Sequence, residues 1–178
     1  MRLFIALKTD LNKDKIFSYE KSLMRTFPDV KWVEKENLHL TLKFLGETSE
    51  EIKNKVSDKL YDISAKATPF EFYYSGVGAF PVMTKARVIF IGVSEGDSVV
   101  SLMKTIDGSL ASLGFKTEKS YVPHLTLGRV RKGSVNLKRF RLPDFEKIKV
   151  KAKGILLIKS TLTKVGPVYE DISEFDFA

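Results

Sequence analysis

Cysteine is absent from this chain. No disulfide can staple it and no thiolate can hold zinc, so any metal would rest on histidine and carboxylates alone. The absence fits a cytoplasmic protein. No apolar run approaches the ~20 residues of a membrane span. The opening segment, Met1-Arg2-Leu3-Phe4-Ile5-Ala6-Leu7, lacks the length and cleavage site of a signal peptide and reads as a first strand. Nothing resembles a Walker lysine loop, and Gly76-Val77-Gly78 reads as a turn or bulge. Histidine is scarce, with 2 in 178 residues.

Each of those two histidines opens the same tetrapeptide, His39-Leu40-Thr41-Leu42 and His124-Leu125-Thr126-Leu127. Imidazole titrates nearest neutrality, so it is the usual mover of protons at physiological pH. A chain that uses histidine nowhere else, and twice in one motif, is expected to bring both to a single site.

The 85-residue offset between the motifs extends outward as an internal repeat. Arg2-Leu3-Phe4-Ile5-Ala6 falls on Arg87-Val88-Ile89-Phe90-Ile91, each an arginine before an apolar strand-like run. A helical segment follows each run, about Leu11 to Phe27 and about Ser98 to Leu113, and then the motif. The chain therefore reads as one bilobal domain over 1–178, with halves of about 1–85 and 86–178. Ser49 opens a further helix to about Ala65. Strands are predicted over Thr68–Phe80, Ala86–Val93, Lys147–Thr163 with Gly154 as a bend, and Pro167–Phe177 as a final edge. Many strands with three helices predict an α+β fold: two pseudo-twofold lobes, each an antiparallel sheet with outer helices, around a central cleft.

Leu38, Leu40, Leu42 and Phe44 alternate with His39, Thr41 and Lys43, which predicts a strand with one apolar and one polar face. His39 and Thr41 then point the same way, as do His124 and Thr126. Two imidazoles on opposite sides of a phosphorus suit in-line phosphoryl transfer, one taking a proton and one giving it. The two threonine hydroxyls could hold the non-bridging oxygens, and Arg129 could add charge. A metal site would need carboxylates beside the motifs, and none is placed there, so no metal or cofactor is expected. Trp32, Phe44, Phe80 and Tyr121 are core-type residues, although Phe44 and Tyr121 lie near the motifs and could stack on a nucleobase.

The net charge of +8 attracts phosphate-rich partners, and Arg129, Arg131, Lys132, Lys138, Arg139 and Arg141 concentrate it after the second motif. Nucleic acid, and no membrane, is the partner this favours.

Four stretches together resemble the RNA 2',3'-cyclic phosphodiesterases, also called 2'-5' RNA ligases, of the two-histidine phosphoesterase superfamily. They are Arg2-x-Phe4-Ile5-Ala6, Glu36 to Gly46, Gly78-Ala79-Phe80-Pro81 and Tyr121-x-Pro123 to Arg129. The resemblance covers nearly the whole chain. It implies metal-independent opening of a 2',3'-cyclic phosphate RNA end to a 2'-phosphate by a monomer, with His39 as proton donor and His124 as proton acceptor. Thr41, Thr126 and Arg129 are implied to bind phosphate, and Phe44 to meet the base. The near symmetry of the repeat also allows the two histidines to exchange roles. Two other readings stand beside it: 2'-5' ligation of tRNA halves, and a non-catalytic module that binds RNA ends.

Overall fold

Asn12 and Ser49 start two helices by the same device. The Asn12 side chain accepts from the Asp14 N–H at the head of Lys13–Met24 (α1), and the Ser49 hydroxyl accepts from the Ile52 N–H at the head of Glu50–Lys66 (α2). Each satisfies one of the N–H groups that a helix start leaves unpaired. Asp97–Ala111 (α3) follows Gly96 without a side-chain cap. These bounds fall within one to three residues of the expected ones, α1 being the shortest against expectation.

The computed structural model describes residues 1–178. Eight strands complete it: Arg2–Thr9 (β1), Val30–Trp32 (β2), Thr41–Glu47 (β3), Phe70–Phe80 (β4), Val88–Ser94 (β5), His124–Val130 (β6), Ile148–Thr163 (β7) and Gly166–Asp176 (β8). All pairings are antiparallel, in the order β2-β6-β5-β4-β7-β1-β3, with β8 also on β7. No helix is long and apolar enough to cross a membrane.

The ladder is continuous because β7 serves both of its ends. On one edge its first residues, Ile148–Ala152, pair with β4, and Gly154 onward pairs with β8. Its other edge pairs with β1 from Ala152 to Ser160. Gly154 sits where β4 gives way to β8. A Cβ there would lie 2.5 Å from the Phe175 carbonyl oxygen, so only glycine lets β8 approach. The register against β1 also shifts here, which matches the bend expected from the sequence.

The repeat did not reveal that strands are exchanged between the halves. β2 and β4, from the first half, pair with β6 and β5 of the second. β7, from the second half, pairs with β1. One apolar core joins all three helices to both motif strands. β1 is buried on both faces: Leu3, Ile5 and Leu7 enter that core, while Phe4 and Ala6 join Ile158 in a smaller cluster beneath the cleft. That explains its unbroken apolar run.

Glu20 interrupts the buried stripe of α1 between Ile16 and Leu23, and neither carboxyl oxygen has a hydrogen-bond partner. Burial, with Glu34 nearby, pushes its pKa from 4.5 up to about 8. The folded chain thus keeps a proton that the unfolded chain releases, and stability falls as pH rises through that window. Glu20→Met is expected to raise Tm by about 5 °C at pH 8.5 and by much less at pH 5. Thermal melts at the two pH values check this. Equal gains at both would mean that Glu20 does not titrate against its burial.

Candidate active site

The two motifs meet at their second residues. Leu40 and Leu125, both buried, form an antiparallel bridge. Antiparallel register then sets His39 opposite Thr126 and Thr41 opposite His124, all four on the face away from the leucines. Because each bridging leucine follows its histidine directly, the bridge lies on a local twofold axis. The repeat is expressed as symmetry at the one place where it brings the histidines together.

A bulge then turns each motif strand at the same residue. Ile5 pairs with Lys43 and Ala6 with Thr41, which leaves Leu42 unpaired. Ile89 pairs with Gly128 and Phe90 with Thr126, which leaves Leu127 unpaired. Each bulge shifts the alternation by one residue. Phe44 and Arg129, each five residues after its histidine, therefore face the cleft. Lys43 turns inward. Strict alternation assigned Phe44 to the apolar face and Lys43 to the polar one, and both assignments are corrected. The registers also match β1 to β5 at an offset of 84, one less than the motif offset.

Each imidazole is held by its ring Nδ1–H and by aromatic walls. His39 donates from Nδ1 to the Asn37 carbonyl oxygen at 2.6 Å, and His124 to the Val122 carbonyl oxygen at 2.7 Å. In the neutral ring this leaves the Nε2 lone pair directed away from the carbonyl. The Thr41 hydroxyl donates to His39 Nε2 at 2.7 Å. Phe4 and Tyr169 pack on His39 at 4.8 and 5.4 Å between centroids, and Phe80 and Phe90 pack on His124 at 4.9 and 5.2 Å. Gly78 makes the second wall possible, since a Cβ there would collide with the Phe90 ring.

This enclosure disfavours the imidazolium. Burial lowers His39 to about 4; the Asn37 carbonyl opposes the shift, while Lys13 and His124 add to it. Burial also lowers His124, with Arg129 adding to the shift against the pull of the Val122 carbonyl. A bound anion would act in the opposite sense on both.

The cleft has a volume of about 420 Å³, and its lining includes His39, Thr41, Phe44, His124, Thr126 and Arg129. Six of the seven residues picked out from the sequence are thus brought together. Tyr121 is not among them: its hydroxyl is bonded to Asp107, away from the cleft. Trp32, read as core, lines the cleft instead, and Phe80, also read as core, walls His124. Lys31 is a cleft cation that no motif signalled, and Arg2, which opened a repeat stretch without being read as a site residue, is another. Lys31 stands directly opposite Arg129 across β2 and β6. Like charges so placed repel, which an anion between them would relieve. The other basic residues of the predicted cluster, Arg131, Lys132, Lys138, Arg139 and Arg141, are exposed outside the cleft. No three side chains of histidine, aspartate or glutamate gather closely enough to hold a metal ion.

The family model described as LigT like Phosphoesterase matches residues 10–90 and again residues 91–169, so each match holds one motif. The chain belongs to this family. An RNA 2',3'-cyclic phosphodiesterase of Methanocaldococcus jannaschii is 40% identical to it, over 98% of this chain and 100% of the relative. The enzyme of that name from Thermotoga maritima is 33% identical, over 99% and 96%. TT0787 of Thermus thermophilus superposes with a TM-score of 0.82 at 25% identity, covering 99% of this chain and 98% of that one. The E. coli LigT complexed with 3'-AMP shares the LigT-like fold, with a TM-score of 0.79 at 24% identity and coverage of 99% and 97%.

Proposed function

We propose that the chain hydrolyses 2',3'-cyclic phosphate ends of RNA, without a metal, to a 2'-phosphate and a free 3'-hydroxyl. The observation that carries this is the pairing of two His-x-Thr segments across the Leu40–Leu125 bridge, with Arg129 and Lys31 beside them. Both full-length relatives described above bear the name of this activity.

In this reading His124 Nε2 takes a proton from water as its oxygen bonds to phosphorus. The bond from phosphorus to the 3'-oxygen breaks, and that oxygen receives the proton from His39 Nε2. Thr41, Thr126 and Arg129 hold the non-bridging oxygens, and Phe44 offers its exposed ring to the base. The diester anion itself loads His39 with its proton by raising a pKa that burial has lowered. Once protonated, His39 no longer accepts from Thr41, whose hydroxyl is then released to the phosphate. The cations beyond the cleft favour RNA over a free cyclic nucleotide. A 5'-hydroxyl RNA end in place of water would give a 2'-5' joint, as between tRNA halves. The protein would work as a monomer in the cytoplasm.

The test is an RNA ending in a 2',3'-cyclic phosphate, incubated in excess chelator without ATP, with and without a 5'-hydroxyl strand. Phosphorus NMR of the product is expected to show a 2'-phosphate. Loss of turnover in chelator, restored by one divalent ion, would overturn the metal-free mechanism. Tight binding with no turnover would leave an RNA-end binding module.

The pH dependence follows from the lowered pKa values. One histidine must be protonated and the other neutral, so the profile is bell-shaped and its limbs belong to the pair. Since both are lowered in the free protein, kcat/KM is expected to peak on the acid side of 6.5. The profile of kcat, which reports the bound state, lies higher because phosphate favours imidazolium. A kcat/KM still rising at pH 8 would contradict this.

A further inference from the structure

Lys43 and Asp107 form an ion pair at the centre of the protein, with side chains only 3% and 2% exposed. Lys43 Nζ donates to Asp107 Oδ1 at 2.5 Å and to the Lys116 carbonyl oxygen at 2.9 Å. Asp107 Oδ2 accepts from the Glu118 N–H at 2.7 Å and from the Tyr121 hydroxyl at 2.5 Å. Three of these four bonds reach one segment, the connection from α3 to β6. Residues 115–123 of that segment make no backbone-to-backbone hydrogen bond. Near its end lies Val122, whose carbonyl receives the His124 Nδ1–H.

A buried ion pair is seldom retained for stability, because an apolar pair of similar volume is often as stable or more so. This one has a position that stability does not require. Lys43 stands four residues after His39, and the Leu42 bulge turns it inward. At the matching point of the second motif stands Gly128, so the device exists on one side only. The Asn37 carbonyl that orients His39 is served differently, by a bond from Asn37 Nδ2 to the Pro167 carbonyl oxygen.

We propose that Lys43, Asp107 and Tyr121 are positioning residues for His124: the strand that follows one histidine grips the segment that orients the other. This rests on the reading of His124 as a catalytic residue. The grip holds Val122 so that its carbonyl keeps the proton on His124 Nδ1 and presents Nε2 to the cleft. Sequence periodicity hid it, since Lys43 read as a polar-face residue and Tyr121 as a base-stacking candidate.

Because the chain has 2 histidines, a spectrum of imidazole nitrogen-15 contains only two sets of ring signals. The test compares wild type with Tyr121→Phe, which removes one hydroxyl, and with Lys43→Met/Asp107→Leu, which replaces the ion pair by apolar groups. At pH 8 both rings are expected as the Nδ1–H form in wild type. In both variants the His124 signals should move toward the average of the two tautomers, with the His39 signals unchanged. The value of kcat on a cyclic mononucleotide should fall about 10-fold or more, with KM and Tm close to wild type. His124 signals that stay at their wild-type positions, or full kcat in the double variant, would overturn the proposal and leave the ion pair a packing feature. If the double variant does not fold, Tyr121→Phe decides alone. If wild type turns over no cyclic phosphate, the functional reading fails, while the nitrogen signals still decide the tether.

Discussion

His39→Ala and His124→Ala each lose about 10²–10⁴-fold in kcat, the usual worth of a positioned acid or base, with the fold intact. Neither imidazole belongs to the main core, and the leucines that bridge the motifs remain in place. The two variants are not equivalent, and their difference identifies the roles. A cyclic substrate with sulfur in place of the bridging 3'-oxygen has a leaving group that needs no proton. It should recover most of the rate in His39→Ala and little in His124→Ala. The opposite recovery would exchange the acid and the base while keeping the mechanism. No recovery in either, with near-normal rates on the natural substrate, would remove histidine from the chemistry.

Thr41→Val and Thr126→Val should each lower kcat by about 10²–10³, the cost of removing one donor from a site where charge develops. Valine keeps the shape and deletes the hydroxyl. The two positions differ in the free protein, because Thr41 donates to His39 Nε2 and Thr126 makes no such bond to His124. Thr41→Val therefore removes a partner of neutral His39 as well as a phosphate ligand, and its pH profile should shift toward higher pH. Thr126→Val should leave the profile in place and change only its height. Steady-state kinetics across pH separate the two. Profiles that move together would mean that the Thr41 hydroxyl has no part in setting the protonation of His39.

The sequence made the histidine pair legible because its signal is local and rare: two identical tetrapeptides that use every histidine in the chain. The helix that Ser49 opens was legible for a similar reason, since its hydroxyl caps a neighbour three residues away; Asn12, which caps α1 inside the segment read as helical, was not singled out. Phase beyond the bulges was hidden. Alternation alone runs Leu38, Leu40, Leu42, Phe44 without a break, and nothing at Leu42 announces an unpaired residue. Lys43 and Phe44 were exchanged in consequence, whereas Arg129, which lines the cleft, was picked out by its charge and by the family resemblance, not by its period. Lys31 and Trp32 were missed for a different reason. They reach the cleft only because β2 crosses to pair with β6, a contact about 100 residues away along the chain that no local pattern carries.

The crossing of β2, β4 and β7 between halves bears on the ancestry of the molecule. A free-standing ancestral half, built like either present half, would have left strand edges open to a neighbour. Two such copies would have closed each other by trading strands, as a swapped homodimer whose twofold axis ran between their histidines. Joining such copies end to end would make that mutual dependence permanent within one chain. It would also free the two sides to differ, as they do here: an aromatic ring at position 44 and a guanidinium at 129, a buried lysine at 43 and a glycine at 128. A homodimer must spend the same residue on both sides of its axis. The fused chain can give one side of the phosphorus an acid and the other a base.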